Sequence, residues 1–261
     1  MSRAILYLLG IILAEITVVV LPVANPVFAS IGITLYGILL IAMIIDAARI
    51  DHYYQGRLVL SLALVPLIRI FSLVLPLTQI PQMWWYPLIY LPLLTAAIAV
   101  AYILEYKPSD IGVTLRGWPW QMPIAFLGLG LGYIEYNILS PQPLVDGLTW
   151  SNAWLPALLI FISTGAVEEM IFRGVMQKSA VDLFGTRGII YVSVIFAVLH
   201  LGWTVGPNAP SLARLDLLFV FGVALLFGWI VKKTGSLLGV TLCHGVINVV
   251  FFLIIPLLFT T

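Results

Sequence analysis

Runs of about twenty apolar residues follow one another almost without a break along this chain, and they leave few folds open to it. A bilayer core holds no water to satisfy backbone N–H and C=O groups, so only helices and closed barrels span it. A spanning helix needs about 20 mostly apolar residues. Breaking the sequence at proline, glycine and charge clusters gives nine such segments: 5–24, 27–45, 58–77, 83–104, 121–139, 153–172, 188–204, 212–231 and 237–258. The expectation is an all-α, polytopic transmembrane helical bundle of about eight or nine spans, a single integral membrane domain over residues 1–261. The lower count applies if the first or second segment is tilted, re-entrant or interfacial. Composition agrees, with 62% hydrophobic and 9% charged residues, where soluble domains carry about 25% charged.

Mean hydropathy is +1.13, and the net charge of +1 offers no clustered basic footprint for nucleic acid. The lipid bilayer is the expected partner, with no nucleic acid. The single cysteine, Cys243, reads as a small packing residue. "VFAS" at 27–30 resembles a signal-peptidase site, but the run before it is long enough to span and is read as a retained first helix.

Positive charges orient the bundle, because cytoplasmic loops carry the excess of Lys and Arg. With nine spans, one side collects Arg3, Arg49, Arg57, Lys107, Arg116, Arg173, Lys178, Arg187, Lys232 and Lys233, ten of the twelve. The other side has Arg214, and Arg69 lies within the third span. An integral membrane protein with a cytoplasmic N-terminus is expected, in the cell membrane if the host is prokaryotic. The stretch 105–120, with Trp118 and Trp120 beside Arg116, reads as an interfacial linker anchored by tryptophan.

Charges inside apolar helices are costly and therefore mark candidate sites. In "TGAVEEMIFRG" (164–174), Glu169 and Arg173 are four apart and share a helix face, whereas Glu168 points elsewhere. One carboxylate is neutralised by the arginine and the other is left without a cation. Two of the three histidines also lie within spans: His200 shares a face with Phe196, and His244 with Asn248. His52 falls in a charged loop with no apparent partner. At about 1.5 Å per residue, Glu168 lies about 8 Å from the cytoplasmic end of its span. His244 lies about 12 Å in, and His200 and Asn248 about 18 Å. These depths allow the four side chains to surround one cavity.

Such a set suits hydrolysis. A shielded carboxylate can take a proton from water, and a neutral histidine can orient that water or relay the proton. A second histidine and an amide can donate to the oxyanion of a tetrahedral intermediate. The same set, Glu168, His200 and His244, could instead hold zinc with water as fourth ligand. The HExxH spacing of zinc proteases is absent, so no cofactor is required by the sequence. Glu15, Arg69, Glu135 and Asp216 are assigned to structure: Glu15 and Arg69 as a cross-helix pair, Arg214 and Asp216 as markers of the outer interface.

"EEMIFR" (168–173), "FAVLH" (196–200) and "HGVIN" (244–248) resemble, in order, the EExxxR, FxxxH and HxxxN motifs of the CPBP family. That family contains the type II CAAX prenyl endopeptidases and the bacteriocin-processing or self-immunity (ABI) proteins. The resemblance covers about residues 150–255. It implies Glu168 as the base that activates water with His200 assisting, and His244 and Asn248 as the oxyanion donors. Glu169 and Arg173 would support the first motif, and Phe196 would pack beside His200. The implied activity is an intramembrane endopeptidase of the glutamate type, acting on a membrane-associated peptide or prenylated-protein tail. The alternative is a non-proteolytic immunity or scaffold protein of the same family.

Overall fold

The computed structural model describes residues 2–144, 149–203 and 213–259. All regular structure among them is helical. Eight helices are long and apolar enough to cross a membrane: α1 (Arg3–Val23), α2 (Val27–Arg49), α3 (Tyr53–Val74), α4 (Gln82–Ile103), α5 (Trp118–Leu139), α6 (Trp154–Phe184), α8 (Arg214–Thr234) and α9 (Leu238–Phe259). A shorter apolar helix, α7 (Arg187–Val198), stands between α6 and α8. The helical bundle and the count of eight agree with the sequence expectation, but among the described residues the short segment is the seventh, not the first or second. The seventh expected segment reaches residue 204 and the eighth begins at 212, both outside the described residues.

Two expectations need correction. Residues 173–187 are not a loop, because α6 runs on to Phe184 with Arg173 and Gln177 buried. Each polar group that would have ended the helix finds a partner instead. Arg173 bonds Glu169, Gln177 Nε2 donates to Gly228 O at 2.9 Å, and Lys178 pairs with Asp182. Asp216 does not face the outer interface either. It is 1% exposed, and neither carboxylate oxygen has a hydrogen-bond partner among the described residues. His52, without an apparent partner in the sequence, accepts from Gln55 N and caps the start of α3.

The linker before α5 turns through Gly112 and Gly117, both at positive φ, where a side chain would be strained. It is tied down by Leu237 N donating to Gly112 O and by Ser236 Oγ donating to Thr114 O. Trp118 and Trp120 stand exposed at the first turn of α5, as interfacial anchors do.

The centre of the bundle is α6, packed against α3, α4, α7 and α9. It contains two consecutive π-helical stretches, Phe161–Glu168 and Met170–Met176, which meet at the charged motif. Single π turns inside helices are often found at functional sites, since the extra residue re-aims the side chains that follow. Small residues let the partner helices come close. A Cβ on Gly165 would stand 2.8 Å from Thr241 O of α9, and one on Gly132 of α5 would stand 2.7 Å from Ile247 O.

Gly130 of the same α5 has nothing within 4 Å of a built Cβ. Gly132→Leu is expected to destabilise the bundle by about 1–3 kcal/mol through overpacking, with Gly130→Leu near neutral. Unfolding titrations in mixed detergent micelles compare the two; equal effects would discount the close α5–α9 contact.

Candidate active site

Glu168 and Glu169 leave α6 in different directions. Glu169 is fully buried and turns toward α9, where Oε1 accepts from Arg173 at 3.0 Å and from His244 Nδ1 at 2.8 Å. Glu168 keeps 13% of its side-chain surface and turns toward α4. Its Oε1 accepts a hydrogen bond from the Tyr90 hydroxyl, and its Oε2 lies 4.0 Å from His244 Nε2. The expected Glu169–Arg173 pair is present. Glu168 has no Lys or Arg partner among the described residues, but it is held by a tyrosine.

The ring bonds define the histidine tautomers. A carbonyl only accepts, so the 2.8 Å contact of His200 Nδ1 with Phe196 O places a proton on Nδ1 and a lone pair on Nε2. His244 donates through Nδ1 to the Glu169 carboxylate, so donation through Nε2 as well requires its imidazolium form. Phe196 packs beside His200, with ring centroids 4.6 Å apart, and the Arg173 guanidinium stacks on its other neighbourhood at 4.2 Å. The Arg173 charge is thus shared between a carboxylate and an aromatic face. Asn248 donates through Nδ2 to Thr164 Oγ1 at 2.7 Å, and Thr164 in turn donates to Ile160 O.

All seven residues singled out in the sequence line one cavity of about 150 Å³. Its apolar wall comes from α8 and α9, including Phe219, Val223, Phe227 and Phe251. The volume accommodates several waters, and the polar partners they need are present.

Four lining residues escaped sequence reasoning: Tyr86, Tyr90, Thr164 and Glu135. Tyr86 and Tyr90 stack on one face of α4, four residues apart, and that spacing was their only signal. Thr164 lies one turn before Glu168. Glu135 was assigned to structure, yet it faces the cavity.

The zinc alternative would draw on Glu168, His200 and the cavity-facing Nε2 of His244. One ring nitrogen of His244 is committed to Glu169. Among the described residues no group of three or more His, Cys, Asp or Glu is placed to hold a metal ion.

A cavity inside a membrane bundle, lined by a carboxylate, two imidazoles and an amide, holds groups able to move a proton and to donate hydrogen bonds to an oxyanion. Residues 150–250 match the family model described as type II CAAX prenyl endopeptidase Rce1-like, a match that supports a CPBP family protease. No curated protein and no solved structure matches the chain.

Arg173→Met leaves the Glu169 carboxylate buried without its cation, a change expected to cost about 3–5 kcal/mol. Adding Glu169→Gln removes the stranded charge and is expected to recover part of the loss. Detergent unfolding of the single and double variants measures both; a single variant as stable as the parent would refute the pairing.

Proposed function

We infer that this protein hydrolyses a peptide bond of a membrane-associated substrate, with Glu168 as general base and water as nucleophile. The observation that carries the reading is the meeting of Glu168, His200, His244 and Asn248 in one small cavity. Each of these groups is costly to keep in a membrane interior, and a scaffold gains nothing from gathering them.

The geometry divides the labour. Tyr90 occupies Glu168 Oε1, so Oε2 is the oxygen available to take a proton from water. His200 presents the lone pair of Nε2 and helps to orient that water. Attack on the scissile carbonyl forms the C–O bond and moves negative charge onto the carbonyl oxygen. There the Asn248 amide, which has a second N–H beyond the one given to Thr164, donates. His244 donates through Nε2 as imidazolium, with Glu169 and Arg173 holding its ring. Collapse of the intermediate breaks the C–N bond, and the proton on Glu168 passes to the departing amine. No step needs a metal ion.

The family match favours a CAAX-type substrate, a prenylated tail ending in Cys, two aliphatic residues and a variable one. The apolar cavity wall suits such aliphatic side chains. Counted on nine crossings, ten of twelve cationic residues fall on one side, which supports a cytoplasmic N-terminus, the side on which a prenylated tail would approach.

The full chain in liposomes is expected to cleave a quenched fluorescent prenylated CAAX peptide faster than its unprenylated copy or a bacteriocin-leader peptide. Glu168→Gln is expected to lower kcat by about 10²–10⁴-fold, as loss of a general base does. Asn248→Ala is expected to lower it by about 10²–10³-fold, as loss of an oxyanion donor does. Chelator is expected to leave the rate unchanged. Full activity in Glu168→Gln would sink the reading, and abolition by chelator that zinc restores would replace its mechanism.

A further inference from the structure

Glu15 and Arg69 lie outside the segment that matches the family model, in α1 and α3. Glu15 is fully buried, and Arg69 keeps 14% of its side-chain surface. They form an ion pair in which Arg69 Nε donates to Glu15 Oε2 at 2.7 Å, and Tyr36 of α2 donates to the same oxygen at 2.5 Å. Three helices are joined by this knot. Neutralising Glu15 would complete a structural account, but the guanidinium makes one more bond. Its terminal NH2 group donates to Leu199 O at 3.0 Å.

That carbonyl sits just past the C-terminal end of α7, immediately before His200. The last carbonyls of a helix lack partners within the helix and carry the negative end of its dipole. A cation is the favoured group there. Three further bonds of this turn lie within it: Leu199 N donates to Ile195 O, His200 N to Ala197 O, and the His200 ring to Phe196 O. They fix the ring relative to α7, and Arg69 fixes the turn relative to α1, α2 and α3. The π-helical stretch Ile16–Val20, which begins right after Glu15, packs on the turn Leu201–Trp203 that follows His200.

The geometry points to Arg69 as a positioning residue: with Glu15 and Tyr36 it is a clamp by which the N-terminal spans set the place of His200. Its effect on catalysis rests on the peptidase reading above, whereas its effect on the ring does not. The clamp touches no substrate, so loss of it shifts the orienting imidazole rather than the binding surface. A misplacement of about 1 Å can cost about 10²-fold in rate.

The test uses the full chain with its histidines labelled by ¹⁵N. There are three of them, so one substitution at each assigns every ring. The variant is Arg69→Met with Glu15→Gln, which removes the pair without stranding a charge; Arg69→Lys alone keeps a donor and the cation. The double variant is expected to shift the His200 ring resonances, leave those of His52 in place, and lower kcat by about 10–100-fold with KM within about twofold. Arg69→Lys is expected to regain most of both. An unmoved His200 ring in the folded double variant would overturn the clamp. So would losses that merely follow the folded fraction, or a lysine variant no better than the double one. If the parent chain cleaves no peptide, the peptidase reading falls, and the His200 resonances still decide the clamp.

Discussion

The Glu169 carboxylate is fully buried inside a mainly apolar bundle, and the arrangement of the site follows from satisfying it. An isolated carboxylate in such a medium is untenable unless paired and hydrogen-bonded. Arg173 supplies the pairing from the next turn of the same helix, which secures the charge but ties nothing to anything else. His244 supplies the second bond from α9, and this one is a tertiary contact. One buried anion therefore keeps α6 helical through the motif, docks α9 against it, and selects the His244 nitrogen that faces the cavity. Glu168, adjacent in sequence, is directed away from that knot toward α4.

The π-helical turns and the glycines make the same contact possible from the backbone side. Phe161–Glu168 and Met170–Met176 flank Glu169 without a break in the helix. Gly165 lets α9 approach where any side chain would collide with Thr241 O. In a membrane, helix association has no hydrophobic driving force of the aqueous kind and depends on close packing and a few polar bonds. The α6–α9 interface has both, and the polar bonds are the ones on which the proposed chemistry depends.

Much of this was legible in the chain because the bilayer imposes simple rules. Twenty-residue apolar runs gave the spans, the i,i+4 spacing gave the Glu169–Arg173 pair, and the cost of buried charge drew attention to Glu15 and Arg69 as partners. Tyr86 and Tyr90 were not legible, since an aromatic residue in an apolar span carries no mark of whether its hydroxyl meets lipid or a carboxylate. Tyr90 finds Glu168 across 78 positions of sequence, and only the packing of α4 on α6 brings them together. The continuation of α6 past Arg173 was missed for the opposite reason. Its charges looked like a loop, and each had a partner that sequence spacing alone does not reveal.

Tyr90 and the Arg69 clamp share a location. The family-matched segment, 150–250, carries all four proposed catalytic groups. Both lie before it; Tyr90 meets Glu168, and Arg69 meets the carbonyl of Leu199, the residue before His200. Short motifs record the groups that touch substrate, because the reaction restricts their chemistry. A group that orients them needs only to deliver one hydrogen bond from the right side, and helices of different sequence can do that. The first four spans are accordingly more than a membrane anchor in this fold: they supply the hydrogen bonds to Glu168 and to the turn that carries His200.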